Sequence, residues 1–190
     1  MTPLPRLPSL AGVVLLLIGS ATEAQERPQL VPSRDVDISY KITRPNQPAI
    51  VERRRWLAGE RLERVDGPDK STTIFDRNKG EITVLNATNR TFRKLEDTGR
   101  WPPEPDTGVA LRRGMEAVIA GLRCIEWTWT EDTETHEVCV TPEGVLLRLA
   151  IDGRTVIEAR SVRFARQTAD LFQVPANYSP ALAPEGAPEP

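Results

Sequence analysis

The chain has 190 residues, of which 39% are hydrophobic and 27% charged, with a formal net charge of −2, two cysteines and a single histidine. A balance so near neutrality supplies no strong field for nucleic acid, and the donor set is too poor for a zinc site, which needs three or four converging ligands. Neither a glycine-rich phosphate loop nor a calcium loop of EF-hand spacing occurs, so no cofactor and no metal is expected.

The N-terminus carries an export signal. Arg6 precedes an apolar run over residues 10–18, and Thr22 and Ala24 place small side chains at the −3 and −1 positions of a cleavage site. A signal peptide is expected over residues 1–24, with the mature chain starting near Gln25. The apolar run is about half of the roughly 20 residues that span a bilayer, so no transmembrane anchor is expected after cleavage. A lipoprotein leader would need a cysteine at the cleavage point, and the first cysteine is Cys124. The mature protein is expected in the periplasm, still at −2 once Arg6 and Glu23 are removed.

The mature chain reads as strands and turns. Residues 25–34 are polar, carry two prolines and form an expected extended arm. Over residues 35–43 the alternation is clean, with Val36, Ile38, Tyr40 and Ile42 on one face and charged or polar residues on the other. Further strands are expected over 49–57, 60–65, 71–76, 81–87 and 91–96, separated by turn compositions such as Asp66-Gly67-Pro68-Asp69 and Arg77-Asn78-Lys79-Gly80. Their even spacing favours one antiparallel meander. Three prolines within residues 99–106 exclude a central strand there. A loop results, long enough to act as a lid or binding loop.

Residues 109–122 are ambiguous. Leu111, Met115, Val118, Ile119 and Leu122 recur near a helical period, yet Gly114 and Gly121 interrupt the pattern, and residues 117–120 also suit a strand turning at Gly121. The strand is preferred, in part on the resemblance given below. Strands are expected from Cys124 to Thr130 and from His136 to Thr141, and a hairpin joins 145–151 to 154–164 through Asp152-Gly153. Residues 168–172 suit a short helical turn, and the Pro, Ala and Glu of 179–190 suit a disordered tail.

In an oxidising compartment Cys124 and Cys139 pair as a structural disulfide. A redox pair would want closer cysteines, or one at a helix start with a lowered pKa. His136 lies three positions from Cys139, and on a strand such residues point to opposite faces. It is read as a surface histidine in a Glu-flanked turn, no catalytic residue is assigned, and the chain is expected not to be an enzyme. Alternation sets Arg53 and Arg55 on one face and Arg54 on the other. Their heads either pair with acids such as Glu52, Glu60 and Glu63 or contact an anionic head group or acidic partner.

The order of an A-G-x-x-C segment at Ala120 to Cys124, a C-x-T-x-x-G segment at Cys139 to Gly144 and a closing F-x-V-P segment at Phe172 to Pro175 resembles the DUF4412 family of bacterial envelope proteins. That family is similar to the LolA-like periplasmic lipoprotein-carrier superfamily. The resemblance covers residues 35–178. It implies a mainly β fold, a single curved antiparallel sheet forming an incomplete, half-open β-barrel, with short helices or loops as a lid. The low aromatic content, 5%, and the arginines in strands argue against a large greasy cavity like a lipoprotein carrier's.

Two functions follow from different classes. The first is a carrier or sensor that binds an apolar ligand, such as a lipid or lipoprotein acyl chain, on the concave face, through Val36, Ile38, Tyr40, Ile42, Trp101, Trp127 and Trp129. The loop from Trp101 to Pro105 would be its lid. The alternative is an envelope protein–protein interaction module with no small-molecule ligand, docking through an edge strand or the arginine-rich face.

Overall fold

The computed structural model describes residues 26–99 and 101–181. The expected signal peptide lies outside the described residues, as do residues 182–190 of the expected tail. In β1 (Val36–Ile42) the four alternating apolar residues are all buried. Antiparallel hairpins continue it through β2 (Ile50–Leu57), β3 (Leu62–Asp66), β4 (Ser71–Asp76), β5 (Glu81–Asn86) and β6 (Thr91–Glu96). After the proline-rich loop come β7 (Arg112–Ile119), β8 (Leu122–Glu131), β9 (Glu134–Val140), β10 (Leu146–Ile151), β11 (Arg154–Phe164) and the two-residue β12 (Ser179–Pro180). Two short 3-10 turns, Ala58–Glu60 and Ala169–Phe172, are the helical pieces among the described residues.

The ambiguity over residues 109–122 resolves to strand. Ala120 and Gly121 take φ of 49° and 79°, and Asp152 and Gly153 take 50° and 73°, the left-handed pair that a two-residue hairpin turn requires. One expectation is corrected at the C-terminus. Ser179 and Pro180, placed in the disordered tail by composition, pair in parallel with Thr91 and Phe92 of β6. Backbone bonds from the Ser179 N–H to the Arg90 carbonyl, 3.0 Å, and from the Ala181 N–H to the Phe92 carbonyl, 2.8 Å, hold them there.

Among the described residues all twelve strands form one sheet, ordered β12-β6-β5-β4-β3-β2-β1-β11-β10-β9-β8-β7. The ends β12 and β7 do not meet, so the barrel is half open. Val36, Tyr40, Trp56, Trp127, Val138 and Leu149 belong to one buried cluster although they come from strands β2 to β8 of that order. These side chains are 6% exposed or less with no second sheet or long helix over them among the described residues, so the sheet must curl around its own inner face. Register shifts mark the pairs β1·β11, β11·β10, β10·β9 and β7·β8, and none occurs between β1 and β6. Bulges bend and twist a strand pair, so curvature is built into the second half of the chain and the first half stays regular.

The outer face of that first half is covered by the chain's own end. Phe172 packs on Ile74 and Leu85, with Leu171, Val174 and Tyr178 beside it. Arg64 donates to the Leu171 carbonyl at 2.7 Å, and both carboxylate oxygens of Asp35 accept backbone N–H bonds, from Ala58 at 2.8 Å and Gln167 at 2.9 Å.

Candidate ligand-binding cavity

Paired residues of an antiparallel ladder share a face, so the inner face of β1 sets what faces it on β2. Val36 lies opposite Trp56 and Ile38 opposite Arg54. The three arginines therefore divide as alternation requires. On the outer face Arg53 donates to Asp37 at 2.8 Å, and Arg55 pairs with Asp66. Arg54 points inward, among apolar groups.

Burying that guanidinium requires partners. Arg54 Nε donates to Glu52 Oε1 at 2.7 Å and Nη1 to Glu63 Oε1 at 3.3 Å. The second oxygen of Glu63 accepts from Arg77 Nη2 at 2.8 Å, and Arg77 Nη1 reaches Asp97 Oδ2 at 2.6 Å. Five side chains thus form one ionic chain across β2, β3 and the ends of β4 and β6. Burial works to lower the Arg54 pKa, but the Glu63 and Glu52 carboxylates outweigh it and leave the value raised, so the group stays charged. Trp101 lies over Arg54, 4.2 Å from ring centroid to guanidinium, and the Tyr40 ring lies at 5.8 Å. Burial pushes the Tyr40 phenol upward, which keeps it a neutral donor; its hydroxyl donates to the Leu146 carbonyl at 2.6 Å.

Two segments roof this floor. Arg27, from the N-terminal arm, donates to the Pro105 carbonyl at 3.3 Å and the Asp106 carbonyl at 2.8 Å, tying arm to loop. Further along the arm Leu30 is buried, and the Ser33 N–H donates to the Glu143 carbonyl at 2.8 Å. Gly144 has φ 86°, and a Cβ built there would stand 2.3 Å from the Val31 carbonyl oxygen; a glycine is what lets the arm lie against this turn. Between roof and floor is a cavity of about 480 Å³. Leu30, Ile38, Tyr40, Trp56, Trp101 and Leu146 line it, and Arg54, Arg61, Glu63 and Arg77 supply its charged side.

Of the residues picked from the sequence, Ile38, Tyr40 and Trp101 come together around this cavity. Val36, Ile42, Trp127 and Trp129 also lie in the buried inner-face cluster but do not line the cavity. His136 is corrected. It lies in the strand expected from residue 136, β9, but is not the surface histidine of a Glu-flanked turn: its side chain is 15% exposed and stacked on Trp129 at 5.1 Å between ring centroids. Cys124 and Cys139 form the disulfide, joining β8 to β9 with Cα atoms 5.4 Å apart. Glu52 and Glu63 were among the acids expected to pair with the arginines, and Arg54 takes both; the extension of the ionic chain to Arg77 and Asp97 was missed by sequence reasoning, as were Leu30, Trp56 and Leu146.

Fold and cavity together define a class: an open, curled antiparallel sheet with one face roofed by an arm and a loop. No protein-family model matches the chain, and no curated protein matches it in sequence. Among solved structures, a chain of the Pseudomonas aeruginosa MucA/MucB complex is similar, with a TM-score of 0.56 at 16% identity over 78% of this chain and 58% of that one. MucB in complex with MucA(peri) gives 0.46 at 12% identity, over 82% and 59%, and PNGF-II gives 0.46 at 16%, over 72% and 29%. This chain therefore spans less than two thirds of each of those structures. The first likeness is one of fold, and the half-open barrel implied by the LolA-like resemblance is present.

Proposed function

We propose that this chain is a periplasmic, non-enzymatic binding protein that holds an apolar group, such as a lipid or lipoprotein acyl chain, in the cavity beneath Trp101, as a carrier or sensor. The observation that carries this reading is the roof itself: arm and loop stand over a floor in which apolar side chains surround Arg54, and leave a half-open space there instead of collapsing onto it. Its volume, about 480 Å³, lies in the roughly 300–1,000 Å³ range of small-molecule sites. The arginines on one side would orient a polar or anionic end, and the apolar residues would take the chain. Against catalysis stands the acid on the cavity floor, since Glu63 is saturated by two arginines; Glu104 and Asp106, from the loop, are exposed, and the single histidine is stacked on Trp129 outside the cavity lining. The leader and the disulfide support the periplasm.

Native mass spectrometry of protein purified from its own periplasm tests the reading. A bound lipid that is lost in a Trp101→Ala, Leu146→Asp variant is the expected result; a ligand-free protein that takes up no fatty acid or phospholipid on addition would sink it. A second reading, an envelope protein–protein interaction module without a small ligand, is favoured by the exposed apolar side chains of Met115 and Val118 on β7, and by the likeness to a chain of the MucA/MucB complex.

A further inference from the structure

The inner face does not end at the cavity. Register carries Arg54 through Val65, Thr73 and Val84 to Arg93, and carries Trp56 through Glu63, Phe75 and Ile82 to Leu95. These two cross-strand rows run over β3 to β6, the half of the sheet that has no bulges. On the outer face the same strands bury Ile74 and Leu85 beneath Phe172. On the inner face no segment among the described residues does the same: Val65, Ile82 and Val84 are only half-buried, Phe75 is half-buried with the Arg77 guanidinium 4.7 Å from its ring centroid, and Leu95 is 52% exposed. The sequence thus places apolar residues on both faces, as Ile74 beside Phe75 and Val84 beside Leu85 show, and covers one.

The charge on this shelf is one-sided in what it leaves free. Its acids, Glu52, Glu63 and Asp97, are all held by Arg54 and Arg77. Arg61, on the cavity side, and Arg93, at the far end of its row, are exposed and make no ion pair among the described residues. Uncovered apolar surface next to unneutralised cations is complementary to a segment with both apolar and acidic side chains.

We infer that the inner-face shelf of β3 to β6 is a docking surface for an acidic amphipathic segment of a partner protein. Its apolar side chains lie over Val65, Ile82, Val84 and Leu95, and its carboxylates meet Arg61 and Arg93. The inference does not depend on what the cavity holds. From Arg54 to Arg93 the row crosses four inter-strand steps, about 19 Å at about 4.8 Å each. A helix of about 13 residues covers that distance at about 1.5 Å per residue, and a helix laid on a sheet is a common way to complete a second layer. An anionic membrane shares the charge, but a curled inner face flanked by an arm and a loop is not shaped to lie on a flat bilayer.

The test uses the full mature chain and two 14-residue helical peptides with the same leucine face, one with a glutamate polar face and one with a lysine polar face. Calorimetry should find binding of the glutamate peptide at least tenfold tighter than the lysine peptide, weakening with salt. Amide shift mapping should place it on β3 to β6. Arg61→Glu with Arg93→Glu should reverse the preference, and Leu95→Asp, at an exposed position, should abolish binding without loss of fold. Equal binding of both peptides, no binding of either, or shifts confined to the cavity or to β7 would overturn the inference. So would Arg93-dependent binding to phosphatidylglycerol vesicles by a protein that ignores the glutamate peptide. Lipid uptake by the cavity is scored separately on the wild type and on Arg93→Glu alone, because Arg61 also lines the cavity, so either site can fail without the other.

Discussion

At the scale of single residues, Arg54 organises the inner face. Its charge is compensated by Glu52 and Glu63, with Trp101 above it, so removing the cation leaves Glu52 without its partner and Glu63 with Arg77 alone, in a largely buried site. Arg54→Gln is expected to lower stability by about 3–5 kcal/mol, the usual cost of breaking rather than replacing a buried pair; urea unfolding measures it. Arg54→Met with Glu52→Leu should recover most of that loss, because Glu63 keeps Arg77 as its partner and no carboxylate is left unpaired. The outer-face counterpart behaves differently. The hydrogen bond from Arg53 holds the Asp37 pKa below the ordinary aspartate value, with Arg163 assisting. A carboxyl depressed in the folded state contributes stability that is fully present above its unfolded pKa, about 3.9, and is lost as pH falls through the folded value. Asp37→Asn should therefore cost about 1 kcal/mol at pH 7, limited by the exposure of both arginines, and should flatten the loss of stability with acid below about pH 4. An unchanged acid limb in thermal melts would remove Asp37 from this role.

At the scale of elements, the disulfide and the arm do separate jobs. Cys124–Cys139 ties two neighbouring strands in the bulged half of the sheet. Closing that loop is worth about 3 kcal/mol, so Cys124→Ser with Cys139→Ser should lower Tm by roughly 6–12 °C for a chain of this size, and calorimetry with and without reductant should show the wild type falling to the same value. The arm depends on the turn at Gly144. Gly144→Ala puts a Cβ against the Val31 carbonyl at a left-handed φ, costs at least about 1 kcal/mol, and should release residues 26–34 to limited proteolysis while β1 remains protected. How much of this was legible varies with the range of the signal. The alternation of Val36 to Ile42 is local, and β1 followed from it almost residue for residue. The inward direction of Arg54 was half legible, since alternation separates it from Arg53 and Arg55 without saying which set faces in. Its pairing with Glu52 and Glu63 was among the expected ones, but the rest of the ionic chain was not legible, because Glu63 meets Arg77 across 14 positions and Arg77 meets Asp97 across 20. Only the register of successive hairpins brings those together. Leu30 was hidden for a related reason: the arm's composition is polar, and its burial is conferred by a turn more than a hundred residues away.

At the scale of the whole molecule, an open sheet must manage two edges, and this one treats them differently. Edge strands present unpaired N–H and C=O groups that invite pairing with another chain. At one end β7 carries Arg112 and Arg113, and a bulge at Gly114 and Met115, features that blunt an edge. At the other end β6 is regular, and β12 covers it. Composition gave no hint of this, since two residues, one of them proline, carry no strand period; the pairing exists because the segment through Phe172 and Tyr178 delivers Ser179 to the start of β6. Ending the chain after Tyr178 should therefore differ from ending it after Ala181. The shorter form loses two backbone hydrogen bonds to Arg90 and Phe92, about 1–2 kcal/mol at about 1 kcal/mol for a net bond, and uncovers Thr91 and Phe92 to other chains. Sedimentation should show concentration-dependent self-association in the form ending at Tyr178 and a monomer in the form ending at Ala181, and Thr91→Lys in the shorter form should suppress the association. If the two truncations behave alike in both stability and sedimentation, β12 does not protect the edge.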